Sequence, residues 1–554
     1  DVAPSRGLGD VYKRQLLKVY ISAFCMCSLS VLLNSCDDFL KEEPLDMKSS
    51  DQFWKTKADA ESGVNALYFG GVPYLHNTDV GGGWTPKATM WGGIVSGLYV
   101  DKRKDRTFTT ASEGCNFNIE SFDDIAMKYW HEFYKGISRA NFVIANIPTM
   151  TGVLDEATIN NYVAQGKFFR AYGYFWLVKE FGGVPYISEP YTSTEGMYKE
   201  RLSAEEVYKK IEADLLDIVN GDALPNKTFY ENGCYVTRAM AQTLLAQVYL
   251  QWAGAPLNGG ADYYGKAAQM ALKVINDSPH GLIHPNGTTD DLNSAYNVIK
   301  TTKESAEIIY AKEYNYSDYS VGNSYACRSI GTDAFQWGVF HPGGDVLYNA
   351  YLPCDMLLNS YASNDIRGHE KQFFFKKYTD AAGKTYTLNN AGNWAWFDEN
   401  ALISGHDGDY NMPVFRFAEV LLIAAEGLAR TNHEDNAVGG AKYYLNQVRK
   451  RAGLADETAT GNDLIQSILT ERLHELPLEF KIWDDIRRTR LYPEASTESG
   501  KLKWTALASA QIQNKPDGST RAGAIPEYAL LWPIPLDEIQ ANPALEGHQN
   551  PGWN

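Results

Sequence analysis

Side chains that could perform acid–base or metal chemistry are present in this sequence, but they do not form a known catalytic motif. His131-Glu132 and His474-Glu475 are His-Glu pairs without the second histidine of the HExxH zinc-hydrolase motif. The sequence also contains no GxSxG nucleophile motif and no complete GxxxxGK[ST] phosphate-binding loop. These observations argue against a zinc hydrolase or a serine hydrolase.

Adjacent carboxylates could in principle serve as the acid and base of a glycosidase. The pairs are Asp123/Asp124 and Asp484/Asp485, and neighbouring residues on a helix diverge by about 100°, so neither pair is expected to converge on one bond. A set of charged side chains at helical spacings is predicted to form a structural ion-pair network instead. Its members are Glu471, Arg472, Glu475, Arg487 and Arg488.

Metal-ligand patterns are incomplete as well. The cysteines after residue 36 are widely spaced and include no CxxC pair, so no zinc site is predicted. The segment His406-Asp407-Gly408-Asp409 has the D-x-D start of a calcium loop but lacks the glutamate at its twelfth position. Because short Asp/Gly segments more often only turn the chain, no cofactor is predicted, and calcium at this loop is the alternative.

Aromatic residues in loops carry the stronger functional signal. The chain has 35 Tyr and 13 Trp, many of them in polar, glycine-rich stretches. A sugar ring offers a flat C–H face and a rim of hydroxyls, so a glycan site needs aromatic platforms edged by polar side chains. The predicted glycan-binding residues are Trp84, Trp91, Asp101, Arg103, Tyr319, Asn323, Tyr325, Arg328, Phe335 and Trp337. The alternative for each aromatic residue is that it seals its loop against the body of the protein.

Paired helices must position these loops. The segment 165–181 is apolar on nearly all sides and ends at Gly182-Gly183, which predicts a buried helix. A capping box, Ser203 to Glu206, precedes an amphipathic partner. Similar alanine-rich pairs are predicted near 241–275 and 417–452. Such pairs resemble tetratricopeptide repeats, in which small residues let helices approach closely.

The pattern changes between 283 and 412 to Gly, Asn, Tyr and short β-like runs such as 307–310. We therefore predict a mainly α single domain over 48–554. Tetratricopeptide-like helix pairs at about 120–280 and 413–490 form its superhelical scaffold. A loop-rich, partly β ligand region is expected at about 70–110 and 283–412.

The overall composition limits the kinds of partner that this protein is expected to bind. The chain of 554 residues is 44% hydrophobic and 21% charged, which is typical of a folded globular protein. Its 68 acidic and 51 basic residues give a formal charge of -17, which argues against a nucleic-acid-binding surface.

The N-terminal sequence predicts export. Lys13, Arg14 and Lys18 precede an apolar stretch that ends in Leu-Leu-Asn-Ser before Cys36, the order of a lipoprotein signal. The apolar run is near 15 residues, shorter than the roughly 20 that span a bilayer. We expect 1–35 to comprise a non-native leader, which begins with Asp, and a signal peptide. Lipidation is predicted at Cys36, and 36–47 is expected to be a polar tether.

Several segments then match one family in order. They are WHEFY at 130–134, QGKFFRAY at 165–172, FGGVP at 181–185, VTRA at 236–239, RFAEVLL at 416–422, NQVRKRAGL at 446–454, WDDIRR at 483–488 and WPIP at 532–535. With the lipobox before them, they resemble the SusD/RagB family of outer-membrane glycan-binding lipoproteins. One departure is Glu479-Phe480-Lys481, where the family often has a Glu-Gly step.

The resemblance implies a surface-exposed lipoprotein of the outer membrane that binds oligo- or polysaccharide without catalysis. It also implies a partner, a SusC-like TonB-dependent β-barrel transporter that receives the glycan. The matching segments belong to the scaffold, so the resemblance locates the glycan site by region and not by residue. Two alternatives stay open, a secreted glycosidase and the same scaffold carrying a peptide.

Overall fold

The computed structural model describes residues 53–75, 92–100, 124–191, 193–284, 291–341, 351–510, 512 and 524–553. The chain divides into two compact units, 1–59 and 60–554. In the first unit the description covers 53–59, where the rings of Phe53 and Trp54 meet edge to face at 5.0 Å. The predicted tether, 36–47, lies outside the described residues.

Helices dominate the described chain. The helices are α1 (Lys57–Asn65), α2 (Val72–Leu75), α3 (Asp124–Asn146), α4 (Glu156–Phe181), α5 (Ala204–Asn220), α6 (Arg238–Ala253), α7 (Gly260–Asp277), α8 (Ala295–Thr301), α9 (Tyr316–Tyr319), α10 (Asp355–Asn359), α11 (Glu399–Ser404), α12 (Phe417–Ala429), α13 (Ala441–Arg451), α14 (Gly461–Glu475), α15 (Ile482–Thr489) and α16 (Leu536–Ala541).

Short strands form four antiparallel two-stranded ladders, which pair β1 with β3, β2 with β6, β4 with β5 and β7 with β8. The strands are β1 (Tyr99–Val100), β2 (Ile308–Lys312), β3 (Leu352–Pro353), β4 (Phe374–Thr379), β5 (Thr385–Asn393), β6 (Met412–Arg416), β7 (Leu491–Ala495) and β8 (Leu502–Ala506).

Successive scaffold helices pack against one another, α3 on α4, α4 on α5, α5 on α6 and α6 on α7. The series continues across the insertion, because α7 also packs on α12, and α12 packs on α13 and α14. The mainly α scaffold of helix pairs with a partly β insertion, predicted from periodicity, is therefore confirmed.

Local sequence explains where the scaffold helices begin and end. Helix α4 begins earlier than the predicted residue 165, because Asp155 caps it by accepting a hydrogen bond from the Thr158 amide at 2.7 Å. It ends at Gly182, whose φ of 71° suits glycine. The predicted capping box of α5 is confirmed, since Ser203 and Glu206 each accept the other's backbone N–H.

Close approach of two scaffold helices depends on one small residue. A Cβ atom added at Gly427 on α12 would lie 2.4 Å from the Tyr264 carbonyl oxygen of α7. Ala268 is packed against the same position. Any larger side chain at 427 would force these two helices apart, which is the packing that the tetratricopeptide-like pattern predicts.

All five residues of the predicted ion-pair network form buried ion pairs, as a structural role requires, but each pairs with residues outside the predicted set. Arg488 on α15 donates to Glu426 on α12 at 2.6 Å, and both side chains are inaccessible to solvent. Arg416 donates to Glu475 on α14 at 2.7 Å. Asp484 and Asp485 are paired with Lys or Arg, as expected for a structural role. These pairs join α15 to both α12 and α14, and they join the end of β6 to α14.

The departure from the family pattern at Phe480 has a visible structural reason. Phe480 has a φ of 59°, in the left-handed region that favours glycine. Its ring is 5.7 Å from that of Trp396 and 5.9 Å from that of Tyr325. A non-glycine residue in this conformation costs about 1–2 kcal/mol. The Phe480 side chain is partly buried, and its contacts with these two rings act against that cost.

The C-terminal segment is joined to the end of α4. The Trp532 amide donates to the Glu180 carbonyl oxygen at 2.6 Å. Asn550 Nδ2 donates to the Phe181 carbonyl oxygen at 2.9 Å, and Arg201 donates to Asn550 Oδ1 at 2.7 Å. These bonds occupy carbonyl groups of the last turn of α4 that have no partner within the helix.

Candidate functional site

A hydrophobic cluster inside the insertion supports several partly exposed aromatic rings. Its buried members are Ile330, Ala334, Phe340, Phe375, Tyr378, Leu388, Phe397 and Leu402. Four partly buried aromatic residues are packed on it, namely Phe335, Trp337, Tyr386 and Trp394. Because the cluster fixes them, these rings could bind a flat ligand without first losing much conformational freedom.

Five rings of this region form a continuous series that we call the aromatic row, consisting of Tyr386, Trp337, Tyr378, Phe397 and Trp394. Trp337 stacks on Tyr386, with 4.9 Å between ring centroids and 21° between planes. It is also nearly parallel to Tyr378, at 6.2 Å. Tyr378 contacts Phe397 at 5.9 Å, and Phe397 stacks on Trp394 at 5.0 Å.

The β4–β5 hairpin positions one end of the aromatic row. Tyr378 and Tyr386 are directly opposite each other in the antiparallel pair, so their side chains share one face. Trp337 reaches them from the 3₁₀ helix Thr332–Trp337, which ends at Gly338 with a φ of 73°. Asp380 accepts a hydrogen bond from the Tyr386 hydroxyl at 3.1 Å, which places a polar group at the ring edge.

Lys300 of α8 lies at the other end of the aromatic row. Its Nζ atom is 4.1 Å from the ring centroid of Trp394 and 5.0 Å from that of Tyr410. Burial lowers the pKa of Lys300 to about 7, and the carboxylates of Asp398 and Glu399 offset only part of that effect. The ammonium is therefore held by aromatic faces.

A second group of aromatic residues lies around α9. Tyr319 is 76% exposed, the highest value among the aromatic residues predicted to bind glycan that the structure describes. Tyr316 stacks on His406 at 4.3 Å. Asp409 accepts hydrogen bonds from the Tyr316 amide at 2.6 Å and the Ser317 hydroxyl at 2.5 Å. The Asp409 carboxylate of the alternative calcium loop thus joins two loops.

Within the described part of the chain, no group of three or more His, Cys, Asp or Glu side chains is arranged to hold a metal ion. In the same residues, no helix has both the length and the apolar character needed to cross a membrane.

The predicted site residues fall into three classes. Tyr319 is exposed, and Phe335 and Trp337 are partly exposed. Asn323, Tyr325 and Arg328 are buried, with exposed fractions of 5%, 0% and 0%. Four more, Trp84, Trp91, Asp101 and Arg103, lie outside the described residues together with Cys36.

Burial gives three of the predicted residues structural contacts instead of an open face. Tyr325 packs against the rings of Trp396 and Phe480, at 4.8 and 5.9 Å. Arg328 donates to the Ser324 carbonyl oxygen at 2.7 Å, and Asn323 donates to the Tyr410 carbonyl oxygen at 2.8 Å. In this structure all three side chains are buried, and Tyr325 has the packing expected of an aromatic residue that seals its loop. Contact of these three residues with glycan stays a prediction.

Sequence reasoning did not include Tyr386, Trp394 or Lys300. Tyr386 belongs to a strand that begins with alternating polar and apolar residues after an Asp-Ala-Ala-Gly turn, and that hairpin signal could have located it. Nothing local marks Lys300 or Trp394, because they meet only through the packing of α8 on the segment 394–396.

One Ser-His contact resembles the start of a nucleophile–base pair. Ser360 Oγ is 2.8 Å from His474 Nε2. Both residues are buried, at 6% and 2% exposed, and burial together with the charge of Arg367 lowers the pKa of His474 to about 3. A histidine this weakly basic is poorly matched to proton transfer near neutral pH. The contact therefore has a structural role.

Comparison with known proteins identifies the family of this fold. Residues 335–553 match the family model described as "SusD family", and residues 95–250 match one described as "Starch-binding associating with outer membrane". A SusD superfamily structure from Parabacteroides distasonis is 25% identical with a TM-score of 0.75, and it is aligned over 90% of this chain and 99% of its own. This chain belongs to the SusD/RagB family.

Two further relatives are similar to this chain over most of its length. A SusD-like protein of Formosa agariphila is 26% identical over 506 residues, which is 87% of this chain and 93% of the relative. Surface glycan-binding protein A of Bacteroides thetaiotaomicron, solved in complex with laminarihexaose, is 22% identical. Its TM-score is 0.64 over 90% of this chain and all of its own, so it shares the SusD fold.

Proposed function

We propose that this protein is a cell-surface lipoprotein that captures oligo- or polysaccharide without catalysis and delivers it to a TonB-dependent outer-membrane transporter. The aromatic row is the observation that carries the binding step. Its partly exposed rings, Trp337, Tyr386 and Trp394, are fixed on a hydrophobic cluster and edged by hydrogen-bonding groups. This is the combination of flat apolar faces and polar edges that sugars require.

The family supports the same binding step. One matching family model is described as starch-binding, and a relative of the same fold is named as a surface glycan-binding protein with a bound oligosaccharide. We assign glycan contact to Trp337, Tyr386, Trp394, Phe335 and Tyr319 among the described residues. Trp84, Trp91, Asp101 and Arg103 stay predicted contacts from the first loop.

Binding is tested by native affinity electrophoresis on a panel of neutral and acidic polysaccharides, followed by calorimetry with oligosaccharides of each ligand. We expect retardation by at least one polysaccharide and no release of reducing ends from it. Steady release of reducing ends would favour the glycosidase alternative. Binding to peptides with no retardation by any polysaccharide would contradict a glycan ligand.

The outer-membrane assignment rests on the family description and on the predicted lipobox before Cys36. A protein held on the outside of a membrane by lipid does not itself carry a ligand inward, so a transporter must receive the glycan. The family resemblance supplies a SusC-like barrel. We propose that the protein covers this barrel like a lid, with the glycan loops facing it and the tether 36–47 allowing it to open.

A detergent pull-down from native membranes tests the transporter partnership. With a tag after Asn554, mass spectrometry should identify a TonB-dependent barrel in the purified complex. A stable complex is expected to bury well beyond the roughly 1,600 Å² of a standard interface. Recovery of the protein alone, under conditions that preserve other outer-membrane complexes, would leave a free-standing glycan binder.

A further inference from the structure

The charge of Lys300 is not neutralised by an ion pair within the described part of the chain. Its ammonium lies over Trp394 at 4.1 Å, Tyr410 at 5.0 Å and Phe397 at 5.8 Å, and no described carboxylate lies within 4.0 Å of it. Buried lysines of the scaffold differ in this respect, since Lys179 pairs with Asp484 at 2.7 Å. Lys300 is thus a cation held by aromatic faces without a counter-ion in contact.

The acidic groups nearest to Lys300 are engaged elsewhere. Asp398 accepts hydrogen bonds from the amides of Ala401 at 3.2 Å and Asp409 at 3.0 Å. Glu399 accepts from the Tyr378 hydroxyl. Their fields still act on Lys300, but their oxygen atoms are directed to other donors. The ammonium therefore keeps its hydrogen-bonding capacity for another acceptor.

A second lysine lies over the same tryptophan. Lys371 Nζ is 5.3 Å from the Trp394 ring centroid, and its charge lowers the pKa of Lys300. Beside Lys300 lies a cavity of about 60 Å³, lined by Tyr296, Asn323, Trp396, Asn411, Arg416 and Glu479 among others. Lys300 itself is only partly accessible to solvent. An anion reaching this point would meet one ammonium directly and a second nearby.

We propose that Lys300 binds an anionic substituent, a carboxylate or a sulfate, of the captured glycan. This inference rests on the proposed glycan-binding function and adds the chemical class of the ligand. A sugar stacked on Trp394 or a neighbouring ring of the aromatic row would bring its substituent to the Lys300 ammonium. The chain is acidic overall, so such selectivity has to come from a local cation and not from net charge.

The test compares matched acidic and neutral probes. Oligogalacturonate is measured beside its carboxyl-reduced form, and chondroitin sulfate oligosaccharide beside its desulfated form, by calorimetry. We expect the acidic member of at least one pair to bind about 10-fold more tightly or better. Lys300→Met should remove this preference, so that the acidic member binds no more tightly than the neutral one.

Lys266→Met is a matched control. Lys266 also lies over aromatic rings, at 4.4 Å from Tyr263 and 5.3 Å from Tyr249, but it is paired with Glu212 at 3.1 Å and belongs to the scaffold helix α7. We expect its substitution to leave both affinities unchanged. Circular dichroism of both variants checks that the fold is retained.

A pH series gives an independent readout. The charged groups that face Lys300 are Lys371, Asp398 and Glu399, with Tyr410 neutral, and Arg416 and Glu479 line the adjoining cavity. Because the pKa of Lys300 is about 7, the acidic preference should weaken from pH 6 to pH 8. Lys300→Arg stays charged throughout and should retain the preference at pH 8.

The outcomes separate this inference from the function on which it rests. Equal affinity for the acidic and neutral members, or an acidic preference that Lys300→Met does not change, would overturn the inference and leave glycan binding intact. Binding of inorganic sulfate through Lys300 without any preference for acidic glycan would assign the position to free anions and overturn it as well. No binding to any polysaccharide would contradict the proposed function itself.

Discussion

Trp337 is the residue at which the proposed binding step can be tested most directly. It is partly exposed, and its stacking on Tyr386 fixes the orientation of both rings. Trp337→Ala should weaken glycan binding by about 1–3 kcal/mol, by analogy with bases stacked on aromatic side chains. Calorimetry with the best oligosaccharide of the panel measures this change.

Tyr198→Ala provides the control for Trp337→Ala. Tyr198 is 55% exposed, but it lies in the loop between α4 and α5 and not in the insertion. Its substitution should leave the affinity unchanged. Equal losses in both variants would mean that the aromatic row has no special part in binding.

Tyr325 is expected to contribute to stability, whereas Trp337 is expected to contribute to binding. Its ring is fully buried among Trp396 and Phe480, so Tyr325→Ala should cost about 3 kcal/mol or more of unfolding free energy through the cavity it leaves. Tyr325→Phe keeps the ring and should cost much less. Urea denaturation of the three proteins measures the difference, and a Tyr325→Ala variant of unchanged stability would contradict the assigned packing role.

Sequence reasoning could not separate Tyr325 from Trp337. Both lie in the same stretch of Gly, Asn and aromatic residues, and both are close to polar neighbours. What separates them is contact with residues far along the chain, since Phe480 covers Tyr325 whereas Trp337 meets the β4–β5 hairpin at the surface. Burial of a loop aromatic residue is a tertiary property that spacing alone does not encode.

At the scale of secondary-structure elements, α12 and α15 are held together by a buried charge pair that should respond to acid. Burial raises the pKa of Glu426, but Arg488 and Arg430 outweigh it and lower the pKa to about 2. A carboxylate with a depressed pKa stabilises the fold above its unfolded-state pKa of about 4.3 and loses that contribution as pH falls towards 2. We therefore expect wild-type stability to decline between about pH 5 and pH 2.

Glu426→Gln isolates the contribution of this pair. The substitution leaves Arg488 buried with Asp485 as its remaining acidic partner, and breaking a buried pair costs about 3–5 kcal/mol. At pH 7 the variant should be less stable by an amount of this order, and the gap from wild type should narrow as pH falls. Chemical denaturation at pH 7, 5 and 3 checks both statements, and a gap that stays constant with pH would contradict them.

The elements of the scaffold were the most predictable part of the fold. Apolar stripes, the Ser203 capping box and the Gly182 stop each identify a helix from local physics. The first nine residues of α4 were missed because 156–164 mixes polar and apolar residues and lacks the succession of large aromatic residues that marks 168–176. The β4–β5 hairpin was expected only as irregular, partly β chain, because its strands are stabilised by a hydrophobic cluster assembled from distant segments.

At the scale of the whole molecule, attachment to the membrane is expected to depend on one residue, the predicted lipidation site Cys36. If Cys36 carries lipid, Cys36→Ala should release the protein from the membrane fraction, while its circular dichroism spectrum and melting temperature stay those of the wild-type body. Fractionation followed by immunoblotting measures the release. A variant that remains with the membrane fraction would contradict the lipoprotein assignment.

The contact between α4 and the C-terminal segment has a consequence for the order of folding. Asn550 caps a carbonyl of Phe181, a partner 369 residues earlier in the chain. If the protein is exported N-terminus first, the end of α4 emerges long before the residues that complete its hydrogen bonds. Contacts over such separations form slowly because a long loop must close first. The segment that contains Trp532 and Asn550 would therefore set the time at which folding is completed. Until that segment has been exported, the end of α4 lacks these partners, and the partly folded chain stays accessible to secretion chaperones.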